Sequence, residues 1–376
     1  VTAIIKEYRH HLFPWLRTLL LAVTGGTLFA WIQIPLPWVL GPMVMILLWS
    51  KTLRIPLRWP AGWRNAGLIA IGYTLGTSFT RETMWDMVGH LPLMLAITMI
   101  TIGCGAGIAW LVSRWTGLNY RTTLTANIPG GLSQMVTLGE EIRGIDITVV
   151  TLFQVTRLLI VVFIVPFLIE WLPEENVAKM VPETMRQATT FTDGFLFGSV
   201  ALLAAWAAWK LKFPTAFLIG PVLAVSLLQI LGFEAPPLPP FLNHMGQMFM
   251  GAHLGLMIRT EQLIHQRRVP LLAVLTALVL IVISFGISCL FTLWTPTSLT
   301  TAFLSLAPGG MAEMGVVAQD IRADLATVTG FQMFRVFFIL IFVPPFLRWL
   351  FKRSTNTDHK KSPRSLHLTR RDGGNK

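Results

Sequence analysis

The sequence predicts an all-α polytopic membrane protein made of two inverted-topology repeats, each with about five transmembrane helices plus one broken or re-entrant Pro-Gly-Gly segment. Three observations carry this reading. Apolar residues make up 53% of the 376 residues and charged residues only 13%, about half the ~25% of an ordinary soluble domain. The apolar residues run in continuous stretches of roughly 15–25, unlike the ten-residue alternating segments of an outer-membrane barrel. Several short motifs recur at a fixed offset. So few charges cannot cover a surface in water, so lipid must solvate most of the chain, and helices are then the way left to satisfy the backbone.

Residues 1–11 form a polar leader with Lys6, Arg9, His10 and His11. No small-residue cleavage site follows, so the first apolar stretch is expected to stay as a span. Apolar segments then fall at about 12–34, 36–50, 66–80, 91–113, 122–139 and 147–172. After a polar insert at 173–193 they resume at about 194–209, 214–232, 244–258, 270–294, 298–319 and 325–351. Residues 352–376 read as a basic, disordered cytoplasmic tail. The net charge of +12 is no DNA-binding signal, because the basic residues gather in that tail and beside apolar segments, as the positive-inside rule requires. Cys104 and Cys289 each lie alone in an apolar stretch and suggest neither disulfide nor zinc site.

The halves 12–172 and 194–351 read as copies. Gly41-Pro42 returns as Gly220-Pro221, Gly72-x-x-Leu75-Gly76 as Gly251-x-x-Leu254-Gly255, and Pro129-Gly130-Gly131 as Pro308-Gly309-Gly310, all at an offset of 179. At an offset of 178, Asp146, Gln154, Arg157 and Pro166 return as Asp324, Gln332, Arg335 and Pro344. Loop charge sets their orientation. The loop at 51–64 carries Lys51, Arg54, Arg58 and Arg64, while its counterpart at 233–243 carries only Glu234. The next pair reverses the balance, with Arg81 against Glu82 and Asp86 in the loop at 81–90 and Arg259, Arg267 and Arg268 in its counterpart at 259–268. The third, Arg114 and Arg121 against an uncharged 295–300, reverses it again. Equivalent loops on opposite sides require an odd number of spans per half. With six segments in each half, the one with Pro-Gly-Gly in its middle is expected not to cross, since Pro removes a donor and Gly-Gly permits non-helical dihedrals. Both termini are then cytoplasmic.

Opened helices in a membrane are tolerated where their backbone faces protein or a water-filled cavity, and the half-helix ends then present dipoles to a ligand. A helix kink packed on a neighbour is the plainer alternative. The spacing of Gln154 and Arg157, and of Gln332 and Arg335, puts each pair on one helix face. An Arg at that depth costs roughly 2.5 kcal/mol or more without a partner. Each Arg either binds an anionic group as a planar fork or serves a structural role. The structural partners open to it are Asp146, Glu140, Glu141, Asp320, Glu313 or carbonyls freed at Pro-Gly-Gly. Glu313 stands where the first copy has Gln134, so it either carries a proton or coupling cation or acts as a counter-ion. The glycine motifs read as close helix packing, His253 as a core residue, and the Trp residues near segment ends as an interfacial belt. The candidate substrate-binding set is Asn127, Pro129, Gly130, Gly131, Gln134, Gln154 and Arg157 with Pro308, Gly309, Gly310, Glu313, Gln332 and Arg335. No catalytic residue, metal site or cofactor is expected.

The doubled Gly-Pro, P-G-G-x-x-[EQ]-M and Q-x-x-R arrangement, over about residues 15–350, resembles the bacterial membrane AbrB family, whose members carry a tandem duplication. This family shares only a name with the small soluble DNA-binding transition-state regulator. The resemblance implies an inner-membrane protein and supplies no catalytic residue. Family members bear labels as regulators of gene expression and as ammonia monooxygenases. The second label needs a copper or iron site, and none of the eight histidines pairs at ligand spacing inside a membrane segment. The expected function is a secondary-transporter-like carrier of a small anionic or zwitterionic solute, bound between the two Pro-Gly-Gly segments, proton- or cation-coupled and not an enzyme. The alternative is a membrane sensor or regulatory protein acting indirectly on gene expression. Expected partners are the lipid bilayer and the solute, with no direct nucleic acid; a homo-oligomer is left open.

Overall fold

The computed structural model describes residues 2–52, 57–130, 135, 138–139, 142, 144–172, 191–213, 215–257 and 268–360. Among these there are thirteen helices and no strand. They are α1 (Thr2–Trp31), α2 (Pro37–Thr52), α3 (Ala61–Gly76), α4 (Arg81–Thr116), α5 (Tyr120–Asn127), α6 (Ile147–Glu170), α7 (Phe191–Lys210), α8 (Ala216–Ile230), α9 (Pro240–Met257), α10 (Arg268–Thr292), α11 (Leu299–Leu306), α12 (Met311–Asp320) and α13 (Leu325–Lys360). Four stretches, Arg81–Thr116, Ile147–Glu170, Arg268–Thr292 and Leu325–Leu347, are long and apolar enough to cross a membrane. Prolines 14, 42, 92, 166, 221, 344 and 345 sit inside helices, as membrane helices tolerate when neighbours satisfy the freed backbone.

The leader is helical from Thr2, and the last helix runs to Lys360, into the segment read as disordered. Neither Pro14 nor Pro344-Pro345 stops its helix. The break expected at Pro-Gly-Gly is present. The segment 298–319 divides into α11 and α12, and α5 ends at Asn127 before Pro129.

Close helix crossings are made by the doubled glycines. A Cβ on Gly41 would strike the Gly25 carbonyl, and one on Gly220 would lie 2.5 Å from the Ala204 carbonyl oxygen, so α1–α2 and α7–α8 cross alike. Between the halves, a Cβ on Gly72 would lie 2.6 Å from the Leu218 oxygen, and one on Gly251 would strike the Val39 oxygen. Gly76 abuts Val222 and Val225, while Gly255 abuts Met43 and Ile46. Gly67 and Gly246, themselves equivalent, face each other. Each contact has its counterpart with the halves exchanged.

These contacts also fix direction. Along α3 and α9, Trp63 packs on Phe249, Gly67 on Gly246, and Tyr73 Oη donates to the Pro236 carbonyl at 2.7 Å, so the two helices run antiparallel. Along α2 and α9, Val39 meets Gly251 and Met43 meets Gly255, so these run parallel. The central core draws on both halves, with Leu40, Ile71, Val161, Leu218, Phe303 and Met314 in one cluster. Outside it the helices present exposed Leu, Ile and Phe, and Trp31, Trp171 (88% exposed) and Trp294 stand at helix ends, where an amphipathic ring suits a membrane–water interface.

Candidate solute site at two helix breaks

A helix that stops inside the protein leaves its last carbonyls without partners. At the first break these belong to α5. Gln154, on α6, directs Nε2 at the carbonyls of Thr125 (3.2 Å), Ala126 (3.2 Å) and Ile128 (3.0 Å). One turn on, Arg157 donates from Nη1 to the Ile128 carbonyl at 3.3 Å and from Nη2 to the Gly130 carbonyl at 3.5 Å. Its Nη2 also donates to Gln154 Oε1 at 2.6 Å, which orients the amide. The spacing of three residues is what lets one helix face serve consecutive carbonyls.

The second break repeats each of these bonds and adds one, from Arg335 to the Leu306 carbonyl. Gln332, on α13, donates to the carbonyls of Leu304 (2.8 Å), Ser305 (3.3 Å) and Ala307 (3.2 Å). Arg335 donates to those of Leu306 (3.3 Å), Ala307 (2.8 Å) and Gly309 (2.8 Å), and to Gln332 Oε1. The Gln-x-x-Arg pair is therefore a clamp on the open helix end. Of the structural partners that the sequence left open, freed carbonyls are the ones used among the described residues.

The acidic residues have other work. Asp146 Oδ1 accepts from the N–H groups of Thr148 (2.9 Å) and Val149 (3.2 Å), capping α6, and Asp324 Oδ1 accepts from Ala326 and Thr327 (3.1 Å each), capping α13. The N–H of each Asp donates to a threonine across the break, Thr122 at 3.0 Å and Thr301 at 3.2 Å. The sequence reading missed these threonines, although both stand in a Thr-Thr pair near the start of the broken segment. Asp320 accepts from the Leu36 N–H at 3.4 Å. Glu140 and Glu141 lie outside the described residues.

The other candidates divide as follows. Asn127 turns its amide back on its own helix, donating to the Thr123 carbonyl at 2.9 Å. Pro129 and Gly130 carry the chain out of α5; Gly131 and Gln134 lie outside the described residues. Pro308, Gly309 and Gly310 join α11 to α12, and a Cβ on Gly309 would lie 3.0 Å from Val161 of α6, so the second break abuts the helix that clamps the first. Glu313, in the first turn of α12, folds its carboxylate back over Gly310, where the helix dipole favours an anion.

The arrangement leaves unspent capacity. Arg157 and Arg335 are buried (8% and 5% exposed), and the positive charge of Arg335 acts on Arg157. The Nε of each has no hydrogen-bond partner, although each guanidinium has five N–H donors. Among the described residues no carboxylate is bonded to either. Two residues outside the candidate set, Arg64 and His253, lie within electrostatic reach of Glu313 or of each other. The charge of Arg64, on α3, acts on both Glu313 and His253. Their counterparts are Asn243, Gln134 and Thr74, so aligning the copies would have exposed a charged set on one side and a neutral one on the other. Among the described residues no cluster of His, Cys, Asp or Glu fits a metal ion.

The family model described as "Transition state regulatory protein AbrB" matches residues 38–351. The chain is 26% identical over 370 residues to "Uncharacterized protein YhjN" of Bacillus subtilis (strain 168), covering 91% of this chain and 94% of that protein. It is also 26% identical over 328 residues to "Putative regulator AbrB" of Escherichia coli (strain K12), covering 86% and 92%.

Proposed function

The chain belongs to the AbrB family, and on that premise we propose that it is an inner-membrane carrier of a small anionic or zwitterionic solute that binds between the two clamped helix breaks. The observation that carries the reading is the pair of buried guanidinium groups, each with an Nε free of any partner and with no bonded carboxylate among the described residues. Burying two like charges is costly, and an anionic group between them would offset that cost while using the spare donors.

The reciprocal contacts support inverted repeats. Equivalent helices α3 and α9 run antiparallel, while α2 runs parallel to α9. Two halves related in this way cross the bilayer in opposite senses, which requires an odd number of spans in each and puts both termini in the cytoplasm. The two breaks then meet near the midplane, and one bundle rocking on the other alternates access. Glu313, replaced by Gln134 in the other copy, couples a proton, with the charge of Arg64 acting on it. The chain performs no oxygenase chemistry. The second reading, a membrane sensor, takes its support from the name "regulator" borne by the Escherichia coli relative.

The test is a thermal-shift screen of the purified protein against organic acids, amino acids and amines, followed by flux of any stabilising compound in proteoliposomes. Stabilisation by a carboxylate-bearing class together with counterflow is expected. Stabilisation without flux would move the protein to the sensor reading, and silence from every anion would overturn a solute site at the breaks.

A further inference from the structure

A cavity of ≈ 760 Å³ lies between α3, α7 and the segment leading into α9, away from both helix breaks. Its walls are apolar or small, including Ala70, Tyr73, Gly198, Ala201, Met245 and Phe249, and no charged residue lines it. The Tyr73 hydroxyl is already committed to the Pro236 carbonyl at 2.7 Å. A buried water needs two to four polar partners, and the one hydroxyl among the lining side chains is that of Tyr73. The cavity's outer edge is formed by Phe195 and Leu202, 76% and 59% exposed.

The other copy shows what this space requires. At the equivalent position Trp15, Trp59 and Trp63 pack on one another and on Phe249, with Trp15–Trp63 centroids 5.6 Å apart, Trp59–Trp63 6.1 Å and Trp63–Phe249 4.7 Å. Trp59 Nε1 locks the group by donating to the Phe249 carbonyl at 3.1 Å. An offset of 179 turns these three tryptophans into Gly194, Leu238 and Leu242, all three of which line the cavity. A Cβ built on Gly194 or Gly198 meets nothing within 4 Å. The chain thus fills one copy of the site with its own rings and leaves the other open.

We infer that the open copy holds the hydrocarbon chain of a bilayer lipid. An apolar void of this size forfeits the dispersion contacts of its lining. Its edge opens on side chains that face the bilayer, so acyl chain is the filler at hand. The shape fits as well. From Gly194 to Leu202 the wall runs about 12 Å along α7, and Pro236 to Pro239 also border the cavity. The cavity touches Gly246, which crosses Gly67 where the two halves meet, so its occupant bears on their interface.

The test reconstitutes the full chain into phosphatidylethanolamine–phosphatidylglycerol vesicles doped with a phospholipid carrying a mid-chain diazirine, then maps adducts after illumination. Adducts are expected on Tyr73 and Phe249, both buried and out of reach of lipid at the outer surface, and not on Trp15. Gly194→Trp, which restores the first copy's residue, should cut them several-fold without lowering the melting temperature, and Leu242→Trp serves if that variant does not fold. Wild-type protein without adducts at Tyr73 and Phe249 would overturn the inference, as would labelling indifferent to both substitutions. A cross-link from Tyr73 to residues 173–190 would overturn it by giving the cavity to this chain's own inter-repeat segment.

Discussion

At the second helix break Arg335 reaches the carbonyls of Ala307 and Gly309 at 2.8 Å each, whereas at the first Arg157 reaches those of Ile128 and Gly130 at 3.3 and 3.5 Å. The bonds connect equivalent atoms, so both clamps meet the same need, to satisfy the end of a helix that stops in a buried place. What the copies do not share lies around that frame. The second has Glu313 over Gly310, with the charge of Arg64 acting on it, where the first has neutral counterparts. Features present twice hold the backbone, and features present once are where selectivity and coupling can arise.

The largest effect expected from breaking the comparison is on the clamps. Arg335→Gln leaves buried carbonyls unsatisfied and should cost about 3 kcal/mol or more, seen as a lower melting temperature in detergent. Arg157→Gln should cost less, because its bonds are longer. Equal losses would show that the difference in bond length carries no energy. Next come Gln332→Leu and Gln154→Leu, each removing one amide shared among three carbonyls. These should cost about 1–3 kcal/mol each and leave the arginines bound to the remaining carbonyls. Asp146→Ala and Asp324→Ala remove equivalent caps, so each should lose about 1 kcal/mol, and a difference well beyond that would reveal a role outside capping. The smallest stability change belongs to Glu313→Gln, which makes the second copy resemble the first. Melting should barely move, while any pH dependence of flux disappears; flux that keeps its pH profile would remove Glu313 from coupling.

Much of this frame was legible in the residues. The offsets of 179 and 178 paired Pro-Gly-Gly with Pro-Gly-Gly and Gln-x-x-Arg with Gln-x-x-Arg, and helical spacing put each Gln and Arg on one face. What the arginines bond to was not legible, because five acidic residues and a set of freed carbonyls were all open to them in the sequence. Capping decided part of it: Asp146 and Asp324 sit at N-cap positions, where helix N–H groups claim them. The tryptophan-filled site and its open twin were visible only by subtraction. Trp15, Trp59 and Trp63 read as belt residues until Gly194, Leu238 and Leu242 are set beside them.

The central claim is that the two copies cross the bilayer in opposite senses, which is what brings their breaks together. Trp115 and Trp294 are equivalent, exposed and at the ends of α4 and α10. In a background carrying Cys104→Ser and Cys289→Ser, Trp115→Cys and Trp294→Cys would each be probed with a membrane-impermeant maleimide from either side of sealed vesicles. The account predicts labelling from opposite sides. Labelling of both from the same side would contradict it.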